Sequence, residues 1–255
     1  MAKKVDRVSF SLACLTACGL LSIVAPALGE NGASSAIAAS PTGSQGASTE
    51  PTAYDLSLIT IEERSPEADD VYRAVSKAVA VIPLKVKRQL TDAGISWVIC
   101  PTLVEYDPSL ANVQSRGWAP GKDFRYVAGT YSFKHNKVLI AVRALRTSDS
   151  VMATRGHRLE TTLHESGHAY DHVLNKYSRD PVFRAAYEAD CARLNDTQRQ
   201  KLKYFLQAGD AGPSETFAEL FAKSLLLKAK LPIEVPNGLE SAFPNTLGVM
   251  EKLLK

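Results

Sequence analysis

The chain has 255 residues, 45% of them hydrophobic and 22% charged, which fits one globular domain of about 200 residues with extensions. Thirty Lys+Arg against 27 Asp+Glu give a net charge of +3, and setting aside Lys3, Lys4, Arg7 and Asp6 at the N-terminus leaves +1. A near-neutral chain lacks the electrostatic footprint of a nucleic-acid binder, and 15 Gly with 13 Pro exclude collagen-like and wholly disordered classes.

Residues 1–29 read as an export signal. Lys3, Lys4 and Arg7 precede an uncharged run over 8–29 that ends in Ala25, Pro26, Ala27, Leu28 and Gly29, small residues of the kind a signal peptidase cuts after. Two alternatives stay open. The run has the length of an uncleaved membrane anchor, and Leu15-Thr16-Ala17-Cys18 resembles a lipoprotein box that would leave Cys18 lipidated. Each of the three carries the rest of the chain out of the cytoplasm, secreted or membrane-attached. Residues 30–53 are Ala, Ser, Gly, Thr and Pro with almost no bulky side chain, so they read as a linker, and order is expected from about Tyr54. The catalytic domain is then 54–255.

Helices are expected over 66–81 and 83–93, broken at Pro83 and closed by Gly94, followed by a buried strand over 95–100. A turn-rich loop, RGWAPGKD, occupies 116–123. Val127, Gly129, Tyr131 and Phe133 alternate with small or polar residues, Lys134 to Lys137 turn the chain, and 138–142 return it as a hairpin. From Gly156 the pattern is helical to the end, with breaks at Pro181, at 209–213 and around 232–244. Helices, a small sheet, then helices make an α+β domain. Cys100 and Cys191, the cysteines beyond the signal, have no second Cys or His at metal-ligand spacing, and in an oxidising compartment they either pair or stay buried as thiols.

His164-Glu165-Ser166-Gly167-His168 is an H-E-x-x-H pattern. Residues four apart on a helix lie one turn above each other, so both imidazoles can grip one zinc ion. Glu165 lies about 100° around the helix and is placed to reach a water on the metal rather than the metal itself. Leu159, Leu163, Tyr170, Leu174 and Tyr177 form the apolar stripe on another face. Zinc needs a third protein ligand. His135, His157 and His172 are poor candidates, being assigned to the hairpin turn, the helix start and the same helix as the first two. Glu219, 51 residues after His168, is preferred, because Ala218 and Ala222 beside it allow close helix packing. Glu215 shares its face but sits in the first turn, where the helix dipole favours any acid.

The runs HESGHAYDHVL and ETFAELFAKSL resemble the catalytic domain of anthrax lethal factor and the related secreted bacterial Pro-Pro endopeptidases. The strand ISWVICPTL, the hairpin VAGTYSFKHNKVLIAV and, more weakly, Phe243-Pro244-Asn245-Thr246 are similar as well, so the likeness covers about 81–255. It implies a zincin-like metalloprotease fold with a small sheet, a zinc-binding Glu in the Phe217-Ala218-Glu219 run, and an Asp three residues after the second His, here Asp171. The family also has a tyrosine, seven residues before its zinc-binding Glu, that donates a hydrogen bond to the transition state. Gly212 occupies that place here, leaving Tyr204 or Tyr131 as substitutes.

The sequence thus predicts a secreted zinc endopeptidase that takes a peptide or protein substrate and binds one Zn2+ per chain through His164, His168 and Glu219. Glu165 serves as general base, and Asp171 orients a ligand imidazole. A catalytically silent zinc domain for binding or adhesion, and a zinc amidase acting on cell-wall amides, are the alternatives.

Overall fold

The computed structural model describes residues 50–114, 121–145, 152–154, 157–234 and 236–255. The export signal, Cys18, most of the linker and most of the 116–123 loop lie outside the described residues. Among the described residues no helix is long and apolar enough to cross a membrane.

A short helix α1 (Ala53–Ser57), capped by Thr52, leads into strand β1 (Ile59–Ile61). Helix α2 (Pro66–Val81) starts at Ser65, whose side chain accepts a bond from the Ala68 amide, with Pro66 in the first turn. Pro83 separates it from α3 (Leu84–Asp92), and Gly94 follows with φ +78°, the left-handed conformation that a helix end requires. Strand β2 (Ser96–Cys100) and short helix α4 (Leu103–Tyr106) come next. The expected hairpin is present as β3 (Gly129–Ser132) and β4 (Lys137–Ala141), antiparallel with Tyr131 opposite Val138.

The sheet order is β1-β2-β4-β3, with β1, β2 and β4 parallel, so β3 is an edge. Strand β1 escapes sequence reading because three residues, Ile-Thr-Ile, are too few to establish an alternation. A separate two-stranded ribbon joins β5 (Arg143–Leu145) to β6 (Met152–Thr154). Side chains alternate across the sheet. Trp97, Ile99, Val138 and Ile140 enter the main core with the helices, while Val98, Cys100, Leu139 and Ala141 form a smaller cluster on the opposite face.

Helix α5 (Arg158–Val173) lies on the main face of the sheet. Its start is fixed by Arg158, which donates to the carbonyls of Ala128 (3.0 Å) and Val142 (2.9 Å). Its middle is fixed by the Trp97 indole, which donates to Ser166 Oγ at 2.9 Å. Of the expected stripe, Leu163 and Tyr170 are buried, Leu159 and Leu174 partly so, and Tyr177 falls beyond the helix. Helices α6 (Pro181–Arg193) and α7 (Asp196–Lys201) follow, then α8 (Ala211–Lys228), α9 (Leu239–Ala242) and α10 (Pro244–Leu253). Helix α8 is buried on all sides from Glu215 to Leu226, making it the central helix of the domain. This is the mixed α+β architecture that the sequence predicts.

Cys100 and Cys191 are free thiols rather than a disulfide. Cys100 belongs to the sheet's small cluster and Cys191 packs against the main core from α6. Burial pushes the Cys100 thiol up to about 12. Denatured protein is therefore expected to release two thiol equivalents from these positions, while native Cys100 labels far more slowly. A single disulfide recovered from the folded protein would contradict this arrangement.

Candidate metal centre

Helices α5 and α8 cross at their smallest residues. A Cβ on Gly167 would stand 2.7 Å from Ala218 Cα, so only glycine allows the backbones this close. The pairs across the crossing are Glu160 with Lys223, His164 with Glu219, and His168 with Glu215. Each step of four along α5 meets a step of four back along α8, so the helices run antiparallel in a fixed register.

That register decides which acid faces the two histidines. Glu215 Oε2 lies 3.4 Å from His164 Nε2 and 3.4 Å from His168 Nε2. The donor atoms of His164, His168 and Glu215 all fall within 4.8 Å of one another. Glu219, which the sequence reading places third, sits one turn further on, its Oε2 meeting the other ring nitrogen, His164 Nδ1, at 3.0 Å. Among the described residues it is thus Glu215, not the expected Glu219, whose carboxylate clusters with both histidines. The small residues beside Glu219 do permit close packing, but the closest approach is Gly167 on Ala218 itself. A carboxylate at the crossing point is turned back onto the nearer histidine, whereas one a turn earlier spans both.

The centre is acidic. Glu165, Glu215 and Glu219 surround two imidazoles, and Glu215 and Glu219 are buried. Burial alone would raise both carboxyls, but hydrogen bonds from the imidazoles hold both below the usual range. Burial likewise opposes a charge on His164, yet the bonds to Glu215 and Glu219 hold its pKa well above normal. The group demands positive charge, and with its nitrogen and oxygen donors it fits a divalent ion of the zinc type.

Glu165 Oε2 accepts a 2.8 Å bond from the Tyr131 backbone amide on edge strand β3, which sequence reading does not reveal. Tyr131, Phe133, Glu165, His168 and Tyr204 line a cleft of about 750 Å³ that opens over the centre. The Tyr204 hydroxyl donates to Glu215 Oε2 at 2.9 Å, so the segment before α8 does fold back as a Tyr204 substitution requires. At Gly212 a Cβ would meet both Gln207 O and the Tyr187 hydroxyl at 2.6 Å, which excludes any larger side chain there. The Tyr131 ring instead packs on Phe133 and His172, at 4.7 and 5.8 Å between centroids.

The remaining candidates lie apart from the donor cluster. Asp171, expected to orient a ligand imidazole, instead accepts from the Ser178 amide (2.7 Å) and hydroxyl (2.8 Å), securing the turn after α5, while Glu219 is the acid on His164 Nδ1. His172 joins the aromatic group at the cleft. His157 begins α5 with φ +62° and faces Glu234 at 3.5 Å. His135 lies in the hairpin turn as expected, its Nε2 3.0 Å from buried Asp107, which also accepts from Lys134 and thereby ties the turn to the cleft wall.

No protein-family model matches the chain, and no curated protein matches it. Among solved structures, the chain is similar to the Pro-Pro endopeptidase PPEP-2 from Paenibacillus alvei, with 20% sequence identity, a TM-score of 0.54, and coverage of 78% of this chain and 99% of that one. The likeness shows a shared fold.

Proposed function

We propose that this protein is an exported zinc-dependent endopeptidase. The observation that carries the reading is the convergence of His164, His168 and Glu215 donor atoms, with Glu165 beside them at the floor of an open cleft. His164 and His168 would hold the ion through Nε2 and Glu215 through its carboxylate, while Glu219 orients His164 through Nδ1. When bound, zinc supplies Lewis acidity and brings the pKa of water at the site to about 7. Glu165 accepts the proton of the attacking water and passes it to the leaving amine. The Tyr131 amide holds the Glu165 carboxylate in place for that transfer. With substrate in the cleft, the Tyr204 hydroxyl would release Glu215 and donate its single proton in a hydrogen bond to the oxygen that gains charge. The edge of β3 beyond the Tyr131 amide pairs with an extended peptide backbone. The fold shared with a Pro-Pro endopeptidase supports the peptidase reading, and proline-containing peptides are the first substrates to try.

Incubation with a diverse peptide library, with and without a chelator, tests the proposal. Cleavage lost on chelation and restored by zinc is expected, and an inert protein under both conditions overturns it. At saturating zinc, Tyr204→Phe is expected to lower kcat by about 10²–10³, the effect of losing one oxyanion donor, with little change in KM, and to weaken zinc binding through the lost bond to Glu215. Unchanged kcat would remove Tyr204 from the chemistry.

A further inference from the structure

Lys223 is 0% exposed and takes no part in the proposed chemistry. Its ammonium lies 2.9 Å from Glu160 Oε1 and 3.4 Å from Glu219 Oε1. It stands one turn beyond Glu219 on α8, opposite the residue one turn before His164 on α5. Asn237, from the segment between α8 and α9, donates its amide to the same Glu219 Oε1 at 2.6 Å. The same segment donates the Glu234 backbone amide to Glu160 Oε2 at 3.1 Å.

The bonds on Glu219 divide by atom. Oε1 takes Lys223 and Asn237, and Oε2 takes His164 Nδ1. A carboxylate held at one oxygen from two directions cannot turn, so the other oxygen stays aimed at the imidazole. That aim selects the ring orientation and the tautomer that present His164 Nε2 to the centre. If stability alone were at issue, an apolar residue in place of a buried ion pair would serve as well or better.

We propose that Lys223 and Asn237 are positioning residues for the metal centre: by fixing Glu219 they lock His164 in its metal-binding orientation. This makes the segment carrying Asn237 a working part of the site, although it supplies none of the proposed ligands. The inference rests on the reading of His164 as a ligand.

The test measures zinc affinity by chelator competition, kcat and KM on a cleaved peptide, and thermal unfolding of the metal-free protein. Three proteins are compared: wild type, Asn237→Ala, and Lys223→Met combined with Glu160→Gln, so that Glu160 is not stranded as a buried charge while Glu219 keeps its bonds to Asn237 and His164. Asn237→Ala changes a half-buried side chain outside any helix, so the test survives if the double variant misfolds. Both variants are expected to bind zinc about 10–100-fold more weakly, with kcat reduced and KM little changed. Wild-type zinc affinity and kcat in both, with only the unfolding temperature lowered, would overturn the inference and leave these residues as structural staples. Wild-type protein that takes up no zinc would instead overturn the reading of the centre itself.

Discussion

Glu215→Ala is expected to abolish peptide hydrolysis and to strip zinc from the protein, whereas Glu219→Ala weakens zinc binding without eliminating it. Both acids are buried on α8, four residues apart, and both touch His164. They differ in what else they reach. Glu215 Oε2 is equidistant from His164 Nε2 and His168 Nε2, at 3.4 Å, so removing it takes the third donor from the set. Two imidazoles on one helix make an incomplete site, and zinc favours four-coordination with three protein donors. Of the two imidazoles Glu219 meets the far side of the His164 ring, and loss of such an orienting partner costs about 10–100-fold in metal affinity. Glu215→Ala should exceed that range. Zinc affinity and peptide hydrolysis of the two purified variants decide the matter. A larger loss for Glu219→Ala would return the third position to Glu219.

The metal helix was legible because its signal is local. A spacing of four sets both imidazoles on one face whatever the rest of the fold does. Helices α2 and α3 and the hairpin were legible for the same reason, through Pro66, Pro83, Gly94 and the turn after Phe133. The choice between Glu215 and Glu219 is not local. It depends on the register of α5 against α8, which is set where Gly167 meets Ala218. Helical phase places both acids on one face and carries no information about which meets His168. A trace of the register was nevertheless present: Glu160, His164 and His168 on one helix, and Lys223, Glu219 and Glu215 on the other, form a ladder in which buried acid meets buried lysine. Glu215 also looked ordinary because acids are common in a first helical turn. In the structure α8 begins at Ala211, so Glu215 lies beyond the first turn. Tyr204 was legible as a candidate but not as a neighbour of the centre, since only the folded 204–213 segment brings its hydroxyl to Glu215.

Glu165→Gln separates chemistry from metal binding more cleanly than any other substitution at this centre. Glu165 is not among the clustered donor atoms, so zinc content should stay at one equivalent per chain. The Tyr131 amide donates to Glu165 Oε2, and a glutamine carbonyl can accept that same bond, so the edge strand and the cleft floor should keep their shape. What the amide cannot do is take a proton. General-base catalysis typically contributes about 10²–10⁴-fold, and kcat is expected to fall by that amount or to background, with KM little changed. The amide's NH2 atoms give this variant a second use, because a carboxamide at position 165 leaves the centre with one fewer negative charge. If zinc is retained as tightly as in wild type despite that lost charge, the Glu165 carboxylate contributes nothing to the affinity. If turnover survives at the wild-type level, Glu165 is not the base, and the proton must be accepted elsewhere along the cleft. If zinc is lost together with turnover, Glu165 itself contributes to holding the ion, and the division between ligand and base would have to be redrawn around the Tyr131 amide bond.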